Sequence, residues 1–341
     1  MTCSCFIVPK SVLDRFADDE TLPQASRTSF SHTADLEKVW RTLRAAHNDA
    51  SQSRLAIAPE VMTLAASPAT PVFDCKSSTS LPGTALPVST TDTTARRAGD
   101  EAAAVAKFYK DCFGRNSVDN AGKTLMSSVH YGSHYNNAFW NGSQMAYGDG
   151  DGRIFIDFTL SNDVIGHELT HGVTQFTLGL GYTNQAGALN EAISDVFGTM
   201  FRQWRGGQAV TAADWLIGSG IMGPAAKAKG YTCLRDMAHP DAAHCLAVQP
   251  ADYSHYVPGG DPHVNSGIPN RAFYLMATAV GGNSWEKVGK VWYGALTAGS
   301  SPRMTFKSFA KRTRAAATQL FPGDASVLAG VNAGWKGVGV S

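Results

Sequence analysis

No apolar run in this chain approaches the roughly 18 residues that a membrane-spanning helix needs, so no such span is expected. Charge is also scarce. Only 17% of the 341 residues are Asp, Glu, Lys or Arg, and the formal net charge is +1. A nearly neutral chain has no general field drawing it to nucleic acid or to an anionic membrane, and neither partner is expected. The N-terminus lacks a basic n-region, and its apolar "CFIV" is too short for a signal-peptide h-region. The expectation is a protein that is either cytoplasmic or secreted by a non-classical route. Internal repeats are absent. Cysteine is confined to Cys3, Cys5, Cys75, Cys112, Cys233 and Cys245. Six allow fifteen pairings, and a cytosolic setting would leave them reduced, so spacing alone does not choose among them.

What is present is globular. Hydrophobic residues make up 43% of the chain, and its length suits about two domains with real cores. Residues 1 to about 50 read as a small separate unit. Within it Leu36, Val39, Trp40 and Leu43 fall at i, i+3, i+4 and i+7, one apolar stripe of a helix with Asp35 and Glu37 in its first turn. So short a stripe makes no core alone and should dock on a larger body. Ser67 to about Ala95 is dense in Ser, Thr and Pro, which suits a linker or short strands with turns. "DEAAAVAKFYKDCFG" predicts a helix from Asp100 as N-cap to Gly114 as stop. "RIFIDF" alternates as a strand, and the pattern beyond Ser161 is mainly helical.

The chemistry concentrates in "SNDVIGHELTHGVTQF". His167 and His171 lie four apart, so on a helix both imidazoles leave one face and can grip one ion. Zinc accepts neutral imidazole, and a catalytic site keeps one of its four positions for water. Glu168 stands beside that face as a base for this water, the H-E-x-x-H arrangement. Two exposed histidines on a helix would be the bland alternative, and a third ligand decides against it. "NEAISD" supplies Glu191 for the metal, and Asp195 four residues on can fix the tautomer of a ligand histidine.

With these residues, "GALNEAISD", "YNNAFWNGSQMAYGDGDG" and "HVNSGIPNRAFY" make residues 70 to 341 resemble the thermolysin family of zinc metalloendopeptidases. The opening "CSCFIVPKSVLDRFADD" is similar to the short prosegment of the protealysin-like branch. The resemblance implies an α+β, two-lobed fold: a β-rich lobe over 70–180 with the zinc helix, a helical lobe over 181–341, a cleft between them, and an inhibitory propeptide over 1–55. It implies one catalytic zinc on His167, His171 and Glu191, with Glu168 as general base. Tyr182 and His263 would hydrogen-bond the oxyanion. Asn137 and Ala138 would hold the substrate backbone, and Arg235 its carbonyl beyond the scissile bond. Phe155, Phe158, Val164 and Leu234 would line the pocket for a bulky apolar residue on the leaving-group side. Peptides or proteins are the expected substrates, the chain's own propeptide its inhibitor, and a monomer its state. A fold kept inactive by a plugged cleft and serving as a binding protein is the alternative. An exopeptidase would need an acidic cluster for a free amine, and none is seen.

Several departures from the family pattern matter. Pro258 stands where an aspartate should orient His263, leaving Asp261 as a substitute. Arg202, Leu216 and Ser219 replace acidic ligands of the family's double calcium site, so calcium is not expected beside Asp163 and Asp214. Cys233, His239, His244 and Cys245 lack the tight paired spacing of structural zinc sites, so a disulfide or two buried thiols is expected there. His130 and His134, four apart, are expected to be structural. Cys3 and Cys5 open two readings: thiols that are small buried hydrophobes on an apolar strand in or near the cleft, or a thiolate in the open position of zinc.

Overall fold

The computed structural model describes residues 5–50 and 67–341. Six short strands build one sheet: β1 (Cys5–Phe6), β2 (Val72–Asp74), β3 (Thr84–Ala85), β4 (Ser127–Val129), β5 (Ala138–Trp140) and β6 (Met145–Tyr147). Their order is β1-β5-β6-β4-β2-β3, so the N-terminal unit contributes an edge strand to the body's sheet. Helices α1 (Lys10–Ala17), α2 (Gln24–Ala50) and α3 (Thr93–Phe113) belong to the first half. The second half holds α4 (Asn162–Gln175), α5 (Asn184–Gly206), α6 (Pro224–Ala228), α7 (Pro262–Asn265), α8 (Gly267–Val280), α9 (Lys287–Thr297), α10 (Phe306–Leu320) and α11 (Ala325–Gly337). A separate ribbon, β7 (Leu216–Ile217) against β8 (Arg235–Asp236), lies among them. The α+β, two-lobed expectation is met.

The serine-rich stretch after Ser67 forms strands and turns, β2 and β3, rather than a linker. Helix α3 starts earlier than expected, because Asp92 caps it by accepting from the Ala95 amide at 3.0 Å, and Asp100 lies inside the helix. The small residues Ala95, Ala98 and Ala102 continue its buried face back through that extra turn. Gly114 ends it in the left-handed conformation, as expected. "RIFIDF" is not a strand. The Asp151 carboxylate gathers the amides of Arg153, Ile154 and Phe155, and Asp157 then caps a short 3-10 turn, so the alternation serves a folded loop.

The stripe on α2 is also corrected. The helix begins at Gln24, which puts Asp35 and Glu37 in its middle, and Val39 is 61% exposed while Glu37 is fully buried. The buried face runs through Ser29, Phe30, Thr33 and Glu37, while Leu36 and Trp40, partly buried, pack on the cluster of Phe6, Tyr131, Tyr135 and Phe139. It is polar because it covers polar groups of the body: Asn136 donates to Ser29 at 2.9 Å, and its amide donates to Thr33 at 3.0 Å. The side chain of Leu43 lies outside the described residues.

The centre of the molecule is the contact of α4 with α5. Gly198 permits it, since a Cβ there would sit 2.5 Å from the Asp163 carbonyl oxygen. This approach brings the fully buried α4 histidines against the acidic face of α5.

His130 is structural, as expected. It bridges Asp149 at 2.8 Å and Asp92 at 2.9 Å, and His134 joins no metal-ligating cluster among the described residues. The hydrogen bond to Asp149 raises the His130 pKa to about 9, against the opposing effect of burial and with help from Asp92. A pKa raised by folding gives stability that is full below the unfolded value near 6.5 and is lost as pH rises through 9. The melting temperature should therefore fall by a few degrees between neutral pH and pH 10, about 1–2 kcal/mol after solvent screening. That slope should flatten in His130→Asn, and an unchanged slope would refute the assignment.

Candidate zinc site and its cleft

His167 and His171, one turn apart on α4, turn their Nε2 atoms to within 3.0 Å of each other. Both outer nitrogens are held. His167 Nδ1 meets Asp195 Oδ1 at 2.8 Å, and His171 Nδ1 meets Asn190 Oδ1 at 2.9 Å and Ser194 Oγ at 3.0 Å. Glu191, one helical turn before Asp195 on α5, places Oε2 3.4 Å from His167 Nε2 and Oε1 3.7 Å from His171 Nε2. Burial pushes the His171 pKa down to about 3, favouring the neutral form that binds metal; Asp195 outweighs burial at His167 and lifts it to about 9. Glu191 is wholly buried, yet its Oε2 has no hydrogen-bond partner. Two imidazole nitrogens and an unpartnered carboxylate oxygen converging in a dry pocket are costly unless a cation joins them. The donor set of two nitrogens and an oxygen, with both histidines oriented from behind, fits zinc.

Glu168 lies on the same helix, and burial raises its pKa well above the ordinary value. Its Oε2 accepts from the Trp140 amide at 2.9 Å and its Oε1 is unpartnered. Tyr182 donates its hydroxyl to Glu191 Oε1. His263 is oriented by Asp261, whose Oδ1 lies 2.6 Å from Nδ1 and also accepts the His263 amide at 2.9 Å. Asp261 thus takes the place that Pro258 leaves empty. Asp195 does more than hold His167, since it also receives Arg235 Nε at 2.8 Å and Asn270 Nδ2 at 2.8 Å.

Residues 5–8 of the N-terminal unit occupy this cleft. Strand β1 runs antiparallel to β5 with Cys5 opposite Trp140 and Phe6 opposite Phe139. The Ile7 amide donates to the Ala138 carbonyl at 3.2 Å. Asn137 brackets Val8, accepting from its amide at 2.9 Å and donating to its carbonyl at 3.0 Å. His263 Nε2 donates to the Phe6 carbonyl at 2.6 Å, and Arg235 donates to the Ile7 carbonyl at 2.9 Å. Phe155, Phe158, Val164 and Leu234 are fully buried in one apolar cluster with Ile7, Val8 and Phe30. The expected ligands, Tyr182, His263, Arg235, Asn137 and Ala138 are thus linked by contacts to one another or to residues 5–8, while the four apolar residues share the large hydrophobic core, the Phe155 ring lying 6.1 Å from Phe30 and 5.4 Å from Phe158. Cys5 is in a disulfide, and its sulfur lies within 4.8 Å of ligand atoms of His171 and Glu191. Cys3 lies outside the described residues.

The sequence reading missed Glu37. This wholly buried carboxylate accepts from Asn137 Nδ2 at 2.6 Å and from Arg41 at 2.7 Å, and burial raises its pKa. The sequence pattern placed it in the first turn of its helix; its i, i+4 spacing to Arg41 was the one signal available. Arg202 pairs with Asp214, lies 3.6 Å from Asp163 and donates to the Leu216 carbonyl at 2.7 Å.

The chain belongs to the thermolysin metallopeptidases. The family described as "Thermolysin metallopeptidase, catalytic domain" matches residues 26–175, and "Thermolysin metallopeptidase, alpha-helical domain" matches 178–340. An extracellular metalloprotease of Pectobacterium carotovorum is 46% identical over 68% of this chain and 69% of its own length. Protease PrtS of Photorhabdus is 42% identical over 79% and 76% respectively. Among solved structures, the precursor of protealysin, a metalloproteinase from Serratia proteamaculans, superposes with a TM-score of 0.83 at 38% identity, covering 99% of this chain and 100% of that one. The protein is a zinc-dependent metalloendopeptidase made as a zymogen, and the reading as a mere binding protein is not supported.

Proposed function

We propose that the enzyme cleaves peptide bonds on the amino side of bulky apolar residues and that residues 5–8 hold it latent by lying where substrate lies. The observation that carries this is the set of bonds from His263, Arg235, Asn137 and Ala138 to the backbone of residues 6–8. These are the contacts of strand addition, which read backbone rather than side chain. Zinc held by His167, His171 and Glu191 supplies, when bound, Lewis acidity and an acidified water. Glu168 accepts the proton at Oε1 and passes it to the leaving amine nitrogen. His263 Nε2 and the Tyr182 hydroxyl donate to the oxyanion, and Asp195 fixes His167. The pocket of Phe155, Phe158, Val164 and Leu234 selects the residue after the cleaved bond. Mapping cuts in an unfolded protein tests this: sites without a large apolar residue on that side would refute the selectivity.

The proposed division is a propeptide over 1–55, a β-rich catalytic lobe over 70–180 and a helical lobe over 181–341. One chain supplies every group of the site, which supports action as a monomer. The extracellular relative supports action outside the cell. Cys5 acts as a plug beside the zinc ligands. Held in a disulfide, Cys5 offers no thiolate, so the reading in which its thiolate fills the open position of zinc is set aside.

A single catalytic zinc suffices for the reaction, and the family's double calcium site is proposed to hold no calcium. The Arg202 guanidinium already neutralises Asp163 and Asp214, and it would repel a divalent cation. A calcium-specific chelator should leave the melting temperature unchanged. A drop of several degrees would overturn this.

A further inference from the structure

The segments on either side of β8 bring three metal-ligating side chains together, far along the chain from His167. Cys233, His244 and Cys245 place one ligand atom each within 4.8 Å of one another. Of the two expectations here, a disulfide or two buried thiols, the thiols hold: neither cysteine is in a disulfide. Their sulfurs stand 3.9 Å apart, far beyond the roughly 2.05 Å of an S–S bond. Two thiolates bound at about 2.3 Å in a tetrahedral site stand roughly 3.8 Å apart. Backbone bonds hold this geometry. Cys233 and Cys245 form a parallel bridge, Leu246 donates to the Cys233 carbonyl at 3.0 Å, and Thr232 donates to the His244 carbonyl at 3.0 Å.

A fourth group supports the histidine. Asp236, 4% exposed, lies with Oδ2 3.1 Å from His244 Nε2, and its other oxygen accepts the amides of Ala238 and His239. A carboxylate bonded to one ring nitrogen is how ligand histidines are fixed, leaving Nδ1 for an ion. The cysteines are fully buried, while the His244 side chain is 37% exposed, which gives an ion a way in and leaves a position open to water. His239 is outside the cluster.

We propose that Cys233, Cys245 and His244 form a second, structural metal site, selective for zinc or a similarly thiophilic divalent ion. Binding replaces two thiol protons, which leave to solvent, with one cation. The ion ties the 237–245 loop to the strand that carries Leu234 and Arg235, the residues facing the cleft. Leu246, next to Cys245, also receives Arg15 of α1 at 3.0 Å, so the site stiffens the platform on which the N-terminal unit rests.

The test is metal content of the purified full chain, with cobalt substituted for zinc as a spectroscopic probe. About two metal equivalents per chain are expected, falling to about one in Cys233→Ser. A thiolate-to-cobalt charge-transfer band should appear, persist in Cys5→Ser and vanish in Cys233→Ser. Should that variant misfold, alkylation of the wild-type chain gives the same answer, with Cys233 and Cys245 protected until a chelator is added. One equivalent per chain, a Cys233–Cys245 disulfide in the purified protein, or a band that survives Cys233→Ser would each overturn the proposal.

Discussion

Glu168→Gln should lower kcat for peptide cleavage by about 10³-fold while leaving the bound zinc in place. Glutamine keeps the shape of the side chain and one oxygen for the Trp140 amide, so α4 should not shift. What is lost is a base at Oε1, the unpartnered atom that burial keeps ready to take up a proton. His167, His171 and Glu191 are untouched, because their orientation comes from Asp195, Asn190 and Ser194 rather than from Glu168. Steady-state kinetics on a peptide, together with metal content, checks this. Turnover within a factor of ten of the parent would contradict the role. Loss of zinc would show that Glu168 holds the site together rather than serving as its base.

Phe30→Ala should release latency. Phe30 is fully buried, its ring 5.3 Å from Phe16 of α1 and 6.1 Å from Phe155 of the proposed substrate pocket. Truncating such a side chain costs about 3–5 kcal/mol, here charged to the docking of the N-terminal unit on the body. The opened fraction of the uncleaved chain should rise by roughly 10² or more, and self-processing should quicken with it. Catalysis by the processed enzyme should not change, since Phe30 leaves with the propeptide. The rate at which intact chain disappears after dilution measures the effect. A rate equal to the parent's would mean that the strand at residues 5–8 holds latency without α2.

The candidate zinc site was legible in the sequence because its proposed ligands come from two helices with fixed periodicity. Four-residue steps put His167 beside His171 and Glu191 beside Asp195 wherever the helices lie. His263 was legible together with Asp261 as its candidate partner, but how the two meet depends on a loop. Asp261 reaches it by capping α7, a geometry that spacing does not reveal. The same limit hid the true face of α2. Apolar periodicity pointed to Val39, which is exposed, whereas the buried face is set by polar groups of the cleft that Ser29, Thr33 and Glu37 satisfy. "RIFIDF" failed as a strand because Asp151 and Asp157 offered its amides a local alternative to a ladder. Of the two expectations for Cys233 and Cys245, a disulfide or two buried thiols, the second holds, and only the bridge that joins their segments in space was out of reach of the sequence.

The central claim is a zinc protease held shut by its own N-terminal strand. It is tested most directly by incubating the purified chain with an unfolded protein, with and without a zinc chelator, and sequencing the enzyme's own N-terminus over time. A lag is expected, then cleavage of the substrate as the start of the enzyme moves from residue 1 to a point between 45 and 70, with all of it abolished by the chelator. Full activity from the first minute with the N-terminus intact, or cleavage that the chelator leaves unchanged, would contradict it.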